Sequence, residues 1–387
     1  MNQPRSESGI FTEIFDLAVI GGGPAGTSAA ITAARSGVRV LLIEGGTVPR
    51  HKVCGEFISA ESLKVLEDLL CKLPHGQTSL RSVPSIGRLR LMLGERALEA
   101  HISPAALSVP RHTLDAILWE AALHAGVEAR MQCEVTSVEG EGPFFLRTRQ
   151  CHVEAKSLII AAGRWSRFTM DRAVPPGPKW IGVKAHQQEE GSPRETDLYF
   201  FKHGYCGVQP VADNVVNVCA MVRSDQATSL NEIFALHPGL ARRAAGWSAM
   251  TSPITTAPLT YRVPQPVRQN ALLVGDAAGF IDPFVGDGIS IALQSGVVAA
   301  QCLAIFLSRS SSLCSAAATY NEQYWRLFAP LLSAAARVRA LLRLPSLAQI
   351  LAFEALRLPG VVPLVIRKTR AIGPENCARI TLRGCAG

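Results

Sequence analysis

No two of the ten cysteines form a CxxC pair, and no Cys/His cluster has zinc-ligand spacing. A disulfide framework and a structural zinc site are both unexpected. No metal ligands are assigned, and the thiols read as mostly buried in a reducing, cytoplasmic compartment. Charge is sparse at 18% and aromatics sparser at 6%, but apolar residues reach 48%, which excludes a disordered chain. Acids are the scarcer sign, 31 against 39 Lys and Arg, for a net charge of +8. No nucleic-acid recognition motif accompanies that excess, so nucleic acid is not an expected partner. A basic surface, or attraction to anionic lipid or an acidic substrate, is the remaining reading. The opening MNQPRSESGIFTEIFD is polar and carries acids, unlike a secretory signal. One uncharged run, ISIALQSGVVAAQCLAIFL at 289–307, is just long enough to span a bilayer. Gln294, Ser295, Gly296 and Gln301 dilute it and it follows a glycine-rich loop, so a buried helix is expected.

What is present begins near the N-terminus. DLAVI (16–20) reads as a buried strand, followed by GGGPAG, an alanine-rich helix ending at Gly37, and a second strand closing on Glu44. Gly21, Gly23 and Gly26 stand in GxGxxG register around Pro24 and Ala25. Gly21 suits the tight turn, Gly23 the close approach of a pyrophosphate, and Gly26 the packing of helix on strand. Glu44 stands where an acid can hold ribose hydroxyls. A lone GxGxxG is weak evidence, but the flanking strand, helix and acid make this one specific for a dinucleotide.

Further along, residues 110–130 predict an amphipathic helix with Leu114, Ile117, Leu118 and Ala121 on one face. Residues 157–168 read as an apolar strand breaking into Gly163. Residues 180–222 alternate and are rich in turns, and DLYFFKHGYCGVQPVADNVVNVCAMV (197–222) within them reads as two or three antiparallel strands. ALLVGDAAGFIDPFVGDGIS (271–290) reads as strand, loop and helix start. From about 325 the chain is rich in Leu, Ala and Arg, with helices expected to break at Pro330, Pro345, Pro359 and Pro363.

Three glycine motifs, GGGPAG, AAGRWSR and VGDAAGFIDPFVGDG, stand in this order across roughly residues 14–330. Together they resemble the geranylgeranyl reductase-like branch of the aromatic hydroxylase superfamily, the flavoprotein monooxygenases. The resemblance implies bound FAD, an α/β fold with a discontinuous, GR2-like Rossmann-type FAD-binding domain, an antiparallel substrate sheet and a C-terminal helical segment. The FAD-binding domain would comprise 1–83, 104–173 and 263–329, the substrate domain 84–103 and 174–262, and the helical segment 330–387. Gly21, Gly23, Pro24, Ala25, Gly26 and Glu44 would hold the ADP half. Arg111 would aim at the cofactor, with Ala162, Gly163, Gly275 and Asp276 around its ribityl and phosphate region. Pro283, Gly286, Gly288 and Ile289 would lie against the isoalloxazine, at a helix N-terminus whose dipole favours the reduced anion.

In the same branch a Cys-Gly pair crosses beside the flavin, and PRHKVCGEFIS (49–59) resembles that loop. Cys54, with Lys52 beside the cofactor, would then face the substrate side, where a thiol can give a proton to a carbon that has received hydride from flavin N5, or simply line the cavity. Glu56 would serve as proton donor or position Lys52. Tyr205 and Gln209, in YCGVQP, stand where the branch carries its substrate segment, though both large apolar residues of that segment are missing. Ala162 replaces the Asp that the hydroxylases carry in the middle motif, which leaves the electron donor open between NAD(P)H, a ferredoxin and a quinol. No Trp-x-Trp pair is present, which argues against a halogenase.

The leading expectation is an FAD enzyme reducing a double bond of a hydrophobic isoprenoid, quinone or polyketide-like substrate. One rival is a monooxygenase acting on an aromatic or polyketide. Another is a non-catalytic flavin-binding protein docked on a membrane by its basic tail. Substrate identity and oligomeric state stay open.

Overall fold

A computed structural model describes residues 12–164, 168, 178–191, 194–256, 258–259, 263–280, 286–308, 311–341, 346–358, 360–361 and 365, without the side chains of 77–79, 338, 341, 346 and 347. The first sheet is built on parallel strands in the order Ala271–Leu273, His152–Ile160, Thr12–Ile20, Val40–Ile43 and Glu128–Arg130. The central strand carries Leu17, Ala18 and Val19 at zero exposure, as expected of a parallel strand covered on both faces. Val267–Arg268 and the hairpin Val135–Glu139/Phe144–Thr148 extend the sheet in antiparallel fashion.

Helix Pro24–Arg35 follows the first strand and crosses the apolar helix Gly288–Leu307. The crossing is close because Gly296 has no side chain. A Cβ there would lie 2.2 Å from Ser28 Oγ and 2.3 Å from the Ala25 carbonyl oxygen. Among the described residues, Gly288–Leu307 is the one helix long and apolar enough to cross a membrane, but 72% of that apolar window is buried in the protein.

The second sheet is mostly antiparallel. Its order is Ser248–Ala249, Trp180–Gln188, Val215–Arg223, Gly204–Ala212, Thr196–Phe201, Ser85–Leu93, Arg96–Ser108 and Phe57–Ile58, with one parallel pair between Thr196–Phe201 and Ser85–Leu93. Helices Leu230–Ala235 and Pro238–Ala244 cover one face over Val183, Ala185, Val216 and Val218. Arg243 pins the second of these helices, pairing with Glu189 at 2.6 Å and with the fully buried Asp197, which Arg90 also holds. The other face, with Gly182, Asn217, Cys219 and Met221, looks onto a cavity of about 1250 Å³. The opposite wall is the carboxyl ends of the parallel strands, at Gly21, Glu44, Ala161 and Val274.

Two local expectations fail for identifiable reasons. The helix predicted over 110–130 ends as Arg111–His124, because Gly126 turns the chain at φ +85° and Glu128–Arg130 joins the sheet edge beside Val40–Ile43. Residues 197–222, by contrast, form three antiparallel strands as expected, Thr196–Phe201, Gly204–Ala212 and Val215–Arg223. Helix Leu313–Leu341 continues through Pro330. Pro330 and Arg326, whose carbonyl loses its partner, are both exposed, while Tyr324, Phe328 and Leu331 on the same helix are buried. Pro345, Pro359 and Pro363 lie outside the described residues.

Candidate active site

The glycine turn builds an anion cradle. Gly21 has φ +111°, and a Cβ on Gly26 would lie 1.8 Å from the Gly21 carbonyl oxygen, so Gly26 works behind the cavity by letting helix meet strand. Gly23 differs. A Cβ there would meet only Lys52 Nζ at 3.7 Å and Arg111 Nη2 at 3.9 Å, so open backbone faces two cations. Helix Pro24–Arg35 starts at this point with no side-chain cap and no acid in its first turn, leaving its N–H groups directed at the cradle. Glu44, 7% exposed, accepts from Gly22 N at 2.8 Å and Gly46 N at 2.9 Å, and Arg50 approaches it at 3.2 Å. These groups fit the ADP half of FAD: donors and cations for the pyrophosphate, and an oriented carboxylate for the ribose.

The two cations are held by one acid that sequence reasoning missed. Asp115, 1% exposed, accepts Arg111 Nε and Nη2 at 2.8 and 2.9 Å and lies 3.1 Å from Lys52 Nζ. Burial favours the neutral acid, but Arg111 and Lys52 outweigh it and hold the Asp115 carboxyl below its ordinary value. Burial lowers the Lys52 ammonium, with Asp115 opposing and Arg111 adding to the effect. The i, i+4 spacing of Arg111 and Asp115 on one helix was the available signal.

Loop 50–56 crosses the cavity between the two sheets. Asn217 Nδ2 ties it down, donating to Cys54 O at 3.1 Å and Gly55 O at 2.9 Å. Glu56 has φ +61° and zero exposure. Its Oε1 accepts Arg111 N at 2.7 Å and the Lys184 ammonium, and its Oε2 meets His186 Nε2 at 2.7 Å. Burial again favours the neutral acid, but the His186 hydrogen bond and the Lys184 charge hold the Glu56 carboxyl below its ordinary value. Glu56 therefore does not position Lys52, as the sequence reading allowed. It anchors the loop on the second sheet, where Lys184 stands opposite Cys219 and His186 opposite Asn217. A Lys and a His at alternate positions of an otherwise apolar strand, IGVKAHQ, were the signal for a buried partner.

Cys54, Gly55 and Glu56 line the same cavity as the glycine cradle, together with Pro24, Ala25, Ala162, Gly163, Asp276, Gly286, Gly288 and Ile289. Gly275 sits behind the wall, donating its N–H to Ser295 at 2.9 Å. Pro283 lies outside the described residues. Asp276 faces the cavity, and its enclosure raises the carboxyl, with Arg164 and Arg111 opposing. Tyr205 and Gln209 line the far end. Gln209 is held between Ser108 Oγ at 2.7 Å and Thr196 Oγ1 at 3.2 Å, so its side chain belongs to the wall.

The family model described as Pyridine nucleotide-disulphide oxidoreductase matches residues 15–191. Digeranylgeranylglycerophospholipid reductase 1 of Methanococcoides burtonii is 27% identical over 75% of this chain and 74% of its own length. The chain resembles FAD-binding oxidoreductases. Menaquinone reductase of Mycolicibacterium smegmatis is 25% identical over 91% of this chain and 90% of its own length. Among solved structures, the flavin-dependent brominase Bmp2 shares the flavoprotein fold with a TM-score of 0.77, at 20% identity, over 95% of this chain and 97% of that one.

Proposed function

We propose that this protein is an FAD-dependent oxidoreductase that saturates a double bond in an isoprenoid or prenylated-quinone substrate, with Cys54 as the proton donor. The observation that carries the reading is the thiol's position: Cys54 lines the cavity that contains the nucleotide cradle. When bound, FAD supplies a hydride at N5. Lys52, Arg111 and the Pro24–Arg35 helix N-terminus would hold the pyrophosphate, and Glu44 the ribose. Leu89, Ile102, Leu198, Met221, Leu259 and Phe280 present an apolar surface suited to a prenyl chain. Asn217 and Glu56 fix the loop, so the Cys54 thiol meets the substrate from a defined direction. The names of the relatives, a digeranylgeranylglycerophospholipid reductase and a menaquinone reductase, support this substrate class. Contact with a membrane surface while collecting such a substrate belongs to the same proposal.

The test is single-turnover reaction of FAD-loaded, pre-reduced protein with menaquinone or an unsaturated prenyl phospholipid in the absence of oxygen. Saturated product, identified by mass spectrometry, is expected. Product that forms only with oxygen and carries an added oxygen atom would replace the proposal with a monooxygenase.

A further inference from the structure

Three histidines distant in sequence line up toward the loop carboxylate. His112 is exposed at the start of helix Arg111–His124 and is not part of the cavity lining. Its ring centroid is 5.3 Å from that of His51. His51 meets His186 edge-on at 5.7 Å, and His186, 7% exposed, bonds Glu56 at 2.7 Å. Glu56 borders the cavity beside Cys54, and its other oxygen holds Lys184. An ion pair that only anchored the loop would need Lys184 and Glu56; it would not need two further imidazoles leading outward. The His186–Glu56 step is a direct hydrogen bond, and the two imidazole–imidazole steps, at centroid separations of 5.3 and 5.7 Å, leave a gap for one bridging water each.

We propose that His112, His51, His186 and Glu56 form a proton-entry route that supplies the Cys54–Glu56 wall of the cavity from solvent. The charged groups around it are Lys184 from the second sheet, Arg111 and Asp115 from the helix, and Lys52 from the loop. Partial desolvation of its inner edge, then the charges of Lys184 and His186, hold the His51 imidazole below its ordinary value, so that it passes a proton on and does not retain it. In the reduction proposed above, on which this step rests, the Cys54 S–H bond breaks as a C–H bond forms. The thiolate regains a proton from the route, and no electrons move along it. Two-electron reduction of bound flavin also draws protons from solvent, with no organic substrate present.

That second demand permits a test separate from turnover. The FAD-loaded protein is photoreduced without oxygen in weak buffer containing an indicator dye, and flavin absorbance and proton uptake are followed together. His51→Ala, at an exposed position, is expected to slow proton uptake about tenfold or more, with FAD content and spectrum unchanged, and free imidazole is expected to restore it. Uptake as fast as in the parent protein would overturn the route. So would a slowing that imidazole leaves untouched, because His51 would then act through packing. Slowed and rescued uptake without any reduction of menaquinone or prenyl phospholipid would sink the reductase reading and leave the route standing. Substrate reduction with uptake unaffected by His51→Ala would do the reverse.

Discussion

Glu56 and His186, 130 residues apart, meet carboxylate to imidazole at 2.7 Å in the interior of the molecule. This contact joins the loop that carries Cys54 to the second sheet. Glu56→Gln would leave the Lys184 ammonium buried without its counter-charge. The expected loss is about 3–5 kcal/mol of unfolding free energy, read from urea melts. Adding Lys184→Met should recover much of it. An unchanged urea midpoint in the single variant would mean that the pair does not hold the loop.

Low pH should act on the same groups. Glu56, Asp115 and Glu189 all have carboxyls held below their ordinary values, in each case against the effect of burial. For Glu189 the opposing groups are Arg243 and Trp247. A carboxyl depressed in the folded state contributes stability that is fully present above its unfolded value and is lost as pH falls through the folded one. Thermal midpoints should therefore hold near neutrality and fall progressively below about pH 4.5, the reference value for Glu56 and Glu189. Arg243→Met should shrink that acid-sensitive part, since it removes the charge that depresses Glu189.

Two glycines of one motif should behave differently. Gly26→Ala puts a methyl 1.8 Å from a carbonyl oxygen and should cost at least about 1–3 kcal/mol in stability. Gly23→Ala meets nothing closer than 3.7 Å, so the apoprotein should melt at an unchanged temperature. Its FAD affinity should nonetheless fall by about tenfold or more, as the methyl occupies the pyrophosphate approach. Fluorescence titration with FAD, alongside calorimetry, separates the two effects. Equal FAD affinity in Gly23→Ala would remove the pyrophosphate from this turn.

Cys54→Ala should bind FAD normally and undergo reduction at the parent rate, yet transfer to substrate about a hundredfold more slowly. Rapid-mixing measurements of each half-reaction check this. Equal slowing of both half-reactions would point to a displaced loop and away from a missing proton. The Cys219 thiol, which burial and then Cys54 push up to about 12, should stay unmodified by iodoacetamide at pH 8.

The nucleotide cradle was legible because its chemistry is local. Gly21, Gly23, Gly26 and Glu44 act within one strand–turn–helix unit, where residue type and spacing set the geometry. The same locality explains the failures at 110–130 and at Pro330. Apolar periodicity could not indicate that Glu128–Arg130 would find a sheet edge, nor that packing of Tyr324, Phe328 and Leu331 would carry the helix past a proline.

By itself the sequence determined the FAD-binding fold, with its strand–turn–helix opening, and the helical character of the C-terminal segment. Tertiary structure alone decided the partners of the loop that carries Cys54. Glu56 found Lys184 and His186 rather than Lys52, because removal of a carboxylate from water demands the nearest buried donors in space. Those donors lie on a strand more than a hundred residues away, which neither spacing nor periodicity encodes.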